Sequence, residues 1–197
     1  SEFNLLDRRD SKNVKDVEVT WSCLGEHNVQ NAVSAASAAG LLGIELETIS
    51  CALAGFQGVK RRMEILASHE DCVIYDDFAH HPTEIFKTLA SLRAKVGNDQ
   101  IIALIEPRSR TMQSGLHDKE IAKALSPADS VIWYEGKHVK RSMSAELQKA
   151  KAEVYFAASV SEIIQITRQI KTPKSNIVIM SNGDFSGLRE LIKRELD

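Results

Sequence analysis

From Met63 to the C-terminus, short apolar runs alternate with segments whose apolar residues recur at helical spacing. The runs fall at 63–68, 72–77, 100–105, 130–134, 153–156 and 176–180, and the helical patterns at 82–95, 115–125, 142–150, 159–170 and 185–195. Strands that alternate with helices run mostly parallel, because each helix carries the chain back to the starting end of the sheet. His69-Glu70-Asp71 reads as a hairpin turn, so the first two runs pair differently from the rest. The pattern predicts an α/β fold: a Rossmann-like, doubly wound, mostly parallel six-stranded sheet with flanking helices.

Within that pattern, Cys72-Val-Ile-Tyr-Asp-Asp-Phe-Ala-His-His-Pro-Thr-Glu84 is the sharpest junction. An apolar strand gives way to two carboxylates, Asp76 and Asp77, and two imidazoles, His80 and His81. Pro82 follows, suited to the first turn of a helix. Glu84 lies in the same turn, where negative charge suits the exposed N–H groups. Ile85, Leu89, Leu92 and Val96 continue at helical spacing, and Gly97 ends the helix. In open α/β sheets, ligands bind beyond the carboxyl ends of the strands, where this loop sits.

Four strand ends carry polar loops: Asp76 to His81, Glu106 to Thr111, Glu135 to Arg141, and Ser181 to Gly187. A parallel sheet brings all four to one edge. Arg108 and Arg110 bracket Ser109 after Pro107, and guanidinium forks suit carboxylates and phosphates. Arg110 is as readily a surface arginine. Ser181-Asn-Gly-Asp-Phe-Ser-Gly187 is a turn into a helix that can receive an anion on backbone N–H groups. No G-x-G-x-x-G fingerprint follows any strand, which counts against a nicotinamide-dependent dehydrogenase, and no G-x-x-x-x-G-K-[ST] loop is present. A metal site built by the chain itself has weak support, because adjacent His80 and His81 point different ways if extended. A helix-capping imidazole is the plainer reading of His80.

Before residue 56 the texture differs. Asp16 to Trp21 alternates as an edge strand, and an alanine-rich helix follows Gly25, with His27, Asn28 and Asn31 at its start. Asn28 is a candidate N-cap. A short helix covers 46–53, and residues 1–15 read as an irregular lead-in. Phe56-Gln-Gly-Val-Lys-Arg-Arg-Met63 fits a hinge, a phosphate-facing loop, or a solvated connector. One strand and two helices make too small a core to stand alone, so residues 1–57 are expected to be the tail of a preceding domain and 58–197 a domain of their own.

The 25 basic and 27 acidic residues leave a net charge of −2, which argues against a dedicated nucleic-acid binder. No apolar run approaches a membrane span, and no signal segment is visible. Three scattered cysteines, Cys23, Cys51 and Cys72, read as reduced thiols in a cytoplasmic protein.

Three segments together resemble one family. They are Gly25-x-His27-Asn28-x-x-Asn31-Ala32, Phe56-x-Gly58-Val-x-Arg61-Arg62-Met63-Glu64, and Asp76-Asp77-Phe-Ala-His80-His81-Pro82-Thr83-Glu84. Their order and spacing resemble the Mur ligases, ATP-dependent amide ligases of bacterial cell-wall precursor synthesis, where the central ATPase domain runs into the C-terminal domain. The double histidine resembles the branch that takes L-alanine. Glu106-Pro-Arg-Ser-Arg-Thr-Met112 and Met180-Ser-Asn-Gly-Asp-Phe-Ser-Gly187 resemble the branch that joins murein tripeptide to UDP-N-acetylmuramate, although Asp184 stands where a small residue is expected.

The resemblance implies an acyl-phosphate mechanism using ATP and Mg2+, with the main binding elements for both outside this chain. It implies that Asn28 and Asn31 contact adenine, Arg62 reaches the ATP phosphates, and Asp77 fixes the nucleotide once domains close. Charge complementarity and position put Arg108 on a carboxylate of the peptide substrate, with Ser109 and Asn182 as hydrogen-bond partners and His80 and His81 at the same substrate. The chain alone is expected to be catalytically inert. The alternatives are an L-alanine-accepting ligase and a non-catalytic Rossmann-like module for anionic ligands.

Overall fold

The computed structural model describes residues 2–7, 14–21, 23, 25–114, 116–136 and 143–195. The chain divides into two compact units, between Val59 and Lys60.

The first unit holds strands β1 (Glu2–Asp7) and β2 (Lys15–Thr20), then helices α1 (Glu26–Leu41) and α2 (Leu46–Ala54). The expected irregular lead-in is instead a strand: β1 pairs antiparallel with β2, Leu5 facing Val17. Its inward residue Leu5 joins Val19, Ala36, Leu46 and Ile49 in a small core, which is the burial that holds so short a strand in place. Gly25, not Asn28, is the N-cap of α1, at φ 88°. That left-handed value is open to glycine without steric cost, so Asn28 falls inside the first turn.

The second unit carries β3 (Glu64–His69), β4 (Cys72–Asp77), α3 (Pro82–Val96), β5 (Ile101–Ile105), α4 (Arg110–Ser114), α5 (Asp118–Ala124), β6 (Ser130–Tyr134), α6 (Ser144–Leu147), β7 (Glu153–Ala157), α7 (Val160–Ile170), β8 (Ser175–Met180) and α8 (Leu188–Glu195). Its six strands lie in the order β3-β4-β8-β5-β6-β7. All neighbours are parallel except β3 and β4, a hairpin closed at Glu70-Asp71 and interrupted by a bulge between Ile65 and Ala67. The sheet is therefore the mixed, mostly parallel one expected. The pattern at 115–125 is realised as α5, and the short helix α4 precedes it where a polar loop was expected. The loop at 135–141 lies outside the described residues from 137 onward.

Alternate residues of each central strand feed two separate cores. Tyr75, Ile101, Ala103, Ile105, Val131, Trp133, Val178 and Met180 pack with Leu89 and Leu92 of α3 and Ile121 of α5. Ile74, Ile102, Leu104, Ile132, Ile177 and Ile179 pack with Ile163 of α7 and Ile192 of α8. Cover on both faces is why these strands read as unbroken apolar runs. The chain leaves β4 through α3, skips one position to β5, and returns through α7 to fill the gap with β8. The C-terminal ends of β4, β8 and β5 thus lie side by side at a topological switch point.

Leu104 is fully buried in the centre of the sheet. Leu104→Ala should cost about 2–5 kcal/mol of stability in a denaturant titration. A cost below about 1 kcal/mol would mean that the site collapses around the loss.

Candidate functional site

Three strand ends and the segment entering β3 build the polar edge. Asp76 and Asp77 are consecutive in β4, so their side chains leave opposite faces of the sheet. Asp76 is almost fully buried, and its Oδ2 accepts from Arg189 Nε at 2.8 Å. Arg61 Nε lies 3.5 Å from the same oxygen. Arg61 Nη2 also donates to the carbonyls of Ser181 and Gly183. Arg189 Nη1 donates to the carbonyls of Gly183 and Asp184. One carboxylate and two guanidiniums therefore lock the start of β3, the end of β4 and the loop after β8. Burial and the Arg189 charge lower the pKa of Arg61. Side-chain exposures of 29% and 15% keep the two arginines partly solvated while Asp76 is not.

Asp77 organises the other face. Its Oδ1 accepts from Ala79 N at 2.8 Å and Thr88 Oγ1 at 3.2 Å, and its Oδ2 from Met63 N at 2.9 Å. It is only 3% exposed. Burial raises its pKa above the ordinary 3.8, opposed by these hydrogen bonds and by the Arg62 charge. Arg61 and Met63 both take left-handed φ values, 59° and 53°. Such backbones cost about 1–3 kcal/mol each. They are held by Asp77 on Met63 N and by Phe78 N, which donates to the Arg61 carbonyl at 2.8 Å.

Glu106, at the end of β5, is 2% exposed and accepts from Ser181 Oγ. Ser181 Oγ in turn accepts from Gly183 N at 2.9 Å. Arg108 is exposed and lies across Gly183, where an added Cβ would meet its Nη1 at 2.4 Å. The loops after β5 and β8 thus form one surface. Ser109 Oγ accepts from Met112 N at 3.2 Å and starts α4. Asn182 is half-buried in the adjacent loop.

His80 and His81 stand at the entry to α3. His80 Nδ1 lies 3.0 Å from the Phe78 carbonyl oxygen, and His81 caps α3 by accepting from Thr83 N at 3.3 Å. His81 meets His117 edge to face, ring centres 4.3 Å apart. That contact joins the double-histidine loop to the segment following Arg108.

The structure therefore gathers Asp77, His80, His81, Arg108, Ser109 and Asn182 in the second unit along the C-terminal edge of the sheet. Arg62 is exposed, its guanidinium carbon 5.9 Å from the Phe78 ring centre. Asn28 and Asn31 lie in the first unit, lining an apolar concavity of about 490 Å³ with Trp21, Ala32, Ala35 and Phe56. Sequence reasoning missed the structural weight of Arg61, Arg189 and Glu106. Arg61 and Arg62 are indistinguishable as adjacent cations, and nothing in α8 marks Arg189 as a partner of Asp76, 113 residues away.

Residues 61–183, most of the second unit and its polar edge, match the family model described as "Mur ligase, glutamate ligase domain". The chain belongs to the Mur ligase family. It is 36% identical over 183 residues to the UDP-N-acetylmuramate–L-alanyl-γ-D-glutamyl-meso-2,6-diaminoheptandioate ligase of Haemophilus influenzae, covering 92% of this chain and 40% of that protein. To the Escherichia coli ligase of the same name it is 36% identical over 174 residues, covering 88% of this chain and 38% of the relative. The crystal structure of a murein peptide ligase from Psychrobacter arcticus matches with TM-score 0.74 and 34% identity, over all of this chain and 42% of that one. The chain thus spans about two fifths of the length of these relatives.

Two measurements test the edge. Asp76→Ala leaves two guanidiniums without a counter-charge and should cost about 3–5 kcal/mol; a loss below about 1 kcal/mol in urea would show solvent compensating them. Asp77 binds its proton more tightly folded than unfolded. Its contribution to stability is therefore greatest at low pH and declines as pH rises above 3.8 through the raised folded value. The stability of the parent chain minus that of Asp77→Asn should fall over that window, and a difference that grows with pH would reverse the assignment.

Proposed function

We propose that this chain is the C-terminal segment of an ATP-dependent ligase that joins murein tripeptide, L-Ala-γ-D-Glu-meso-diaminopimelate, to UDP-N-acetylmuramate in the cytoplasm. The observation that carries the acceptor assignment is the contrast among the arginines of the polar edge. Arg61 and Arg189 are engaged with Asp76 and backbone carbonyls, whereas Arg108 presents an exposed guanidinium against Gly183 at the switch point. A peptide bearing several carboxylates suits that fork. Ser109 and Asn182 flank it as neutral hydrogen-bonding groups.

In this reading, ATP phosphorylates the muramoyl carboxylate, the peptide amine attacks the acyl phosphate, and phosphate leaves. Arg62 extends from the start of the second unit toward the nucleotide, and Asn28 and Asn31 line the adenine side of the preceding domain, whose tail is residues 1–57. Asp77 acts on the nucleotide side by holding the segment that carries Arg62, through Met63 N. Among the described residues, no three His, Cys, Asp or Glu side chains come together as a metal-ligand set. We assign the Mg2+ ligands, like most of the ATP site, to the part of the ligase outside this segment. The phosphate loop also lies outside it, so the chain alone is inert.

Arg108→Ala in the complete ligase should raise the KM for tripeptide about 10- to 100-fold while leaving the KM for ATP near its parent value. An unchanged tripeptide KM would sink the acceptor assignment, and efficient turnover of free L-alanine in place of the tripeptide would move the chain to the alanine-accepting branch.

A further inference from the structure

His80 and His81 are neighbours in sequence, yet their rings are fixed by opposite kinds of partner. His80 Nδ1 faces two oxygens, the Phe78 carbonyl at 3.0 Å and Glu84 Oε2 at 3.5 Å. A carbonyl and a carboxylate only accept, so Nδ1 carries the proton and Nε2 of the neutral ring keeps its lone pair. His81 is the reverse. Its Nδ1 accepts the Thr83 N–H, so its proton sits on Nε2.

The rings are held in place. Phe78 packs edge-on against His80, centroids 5.4 Å apart at 85°, and His117 against His81 at 4.3 Å and 73°. The His80 side chain is 28% exposed, which leaves it reachable from the loop surface. Glu84 also accepts from the His80 backbone N–H at 3.2 Å, which sets its carboxylate beside the imidazole. His81 cannot take a proton on Nδ1 without giving up the α3 cap. The double histidine is thus a matched pair: one ring able to accept a proton, the other able only to donate a hydrogen bond.

We propose that His80 Nε2 is the general base of the ligation, removing a proton from the ammonium of the incoming acceptor. The proposal rests on the ligase reading above. An acceptor amine arrives largely as ammonium, without a lone pair to attack. His80 takes one proton and becomes an imidazolium beside Glu84. The freed amine attacks the acyl carbonyl, the C–N bond forms, and the C–O bond to phosphate breaks with its electron pair leaving on oxygen. The second amine proton departs with that oxygen, giving amide and hydrogen phosphate. Glu84 stabilises the imidazolium as a carboxylate positioned on Nδ1 does in other base-bearing sites.

The tautomers are tested on this chain by heteronuclear NMR of the histidine ring nitrogens at mildly alkaline pH, where unperturbed imidazoles are neutral. His80→Gln and His81→Gln assign the signals. The expected result is Nδ1–H for His80 and Nε2–H for His81. An Nε2–H tautomer at His80 overturns the proposal, whatever the protein's substrates. In the complete ligase, His80→Gln should lower kcat for tripeptide about 100-fold or more. Capture of the acyl phosphate by hydroxylamine, a nucleophile that is neutral near physiological pH and needs no base, should stay within a few-fold of the parent rate. A parallel fall in hydroxamate formation would make His80 a structural residue and overturn its catalytic role. Failure of the parent enzyme to form hydroxamate would overturn the ligase reading, and with it the role of His80, while the tautomers would stand or fall on the NMR alone.

Discussion

Asp76 sits almost out of water between two guanidiniums, and the polar edge of the second unit is arranged around that fact. A carboxylate so buried is tolerable only if its charge is matched nearby. Arg61 comes from the segment entering the antiparallel strand, and Arg189 from the first turn of the last helix. Each also donates from one terminal nitrogen to carbonyls of the loop after β8. One charge thereby fixes three pieces of chain far apart in sequence. The Ser181 to Asp184 loop, with no helix of its own, gains a defined path from these contacts.

That path matters for chemistry because of the strand order. β8 enters last and lies between β4 and β5. Its loop fills the space between the double-histidine loop and the Arg108 loop. Ser181 reaches Glu106 on one side and Gly183 leaves room for Arg108, while Arg61 anchors the other side. Groups that hold the backbone and groups that face outward are neighbours here. Arg61, Asp76, Arg189 and Asp77 hold the backbone, and Arg62, Arg108 and His80 present groups outward.

Much of the fold was legible in the sequence. All six strands of the second unit lie where the sequence marks them, most plainly the central β5 and β6, which are covered on both faces and read as near-continuous apolar runs. The hairpin turn and the proline-led helix were equally plain. The short strand β1 was missed, since a six-residue segment with three polar or charged residues takes strand form only through its pairing with β2. The candidate site was legible as a set of loops and not as a set of roles. In Lys60-Arg61-Arg62 nothing local separates the arginine engaged with Asp76 from the exposed one. In Asp76-Asp77, likewise, side-chain alternation sends the two carboxylates to different partners on opposite faces.

By itself the sequence determined the alternation of strand and helix, the covered parallel sheet, the polar loops at one edge, and the family those loops mark. These depend on periodicity and on short motifs, which act within a few residues. Only the tertiary structure decided which cations are spent on Asp76 and which carboxylates hold the backbone. Those outcomes depend on contacts between segments as much as 120 residues apart, as from Arg61 to Ser181, and on backbone carbonyls and N–H groups that have the same chemistry in every residue. A residue's type sets what it can donate or accept, and the folded neighbourhood sets which of those capacities is left for a ligand.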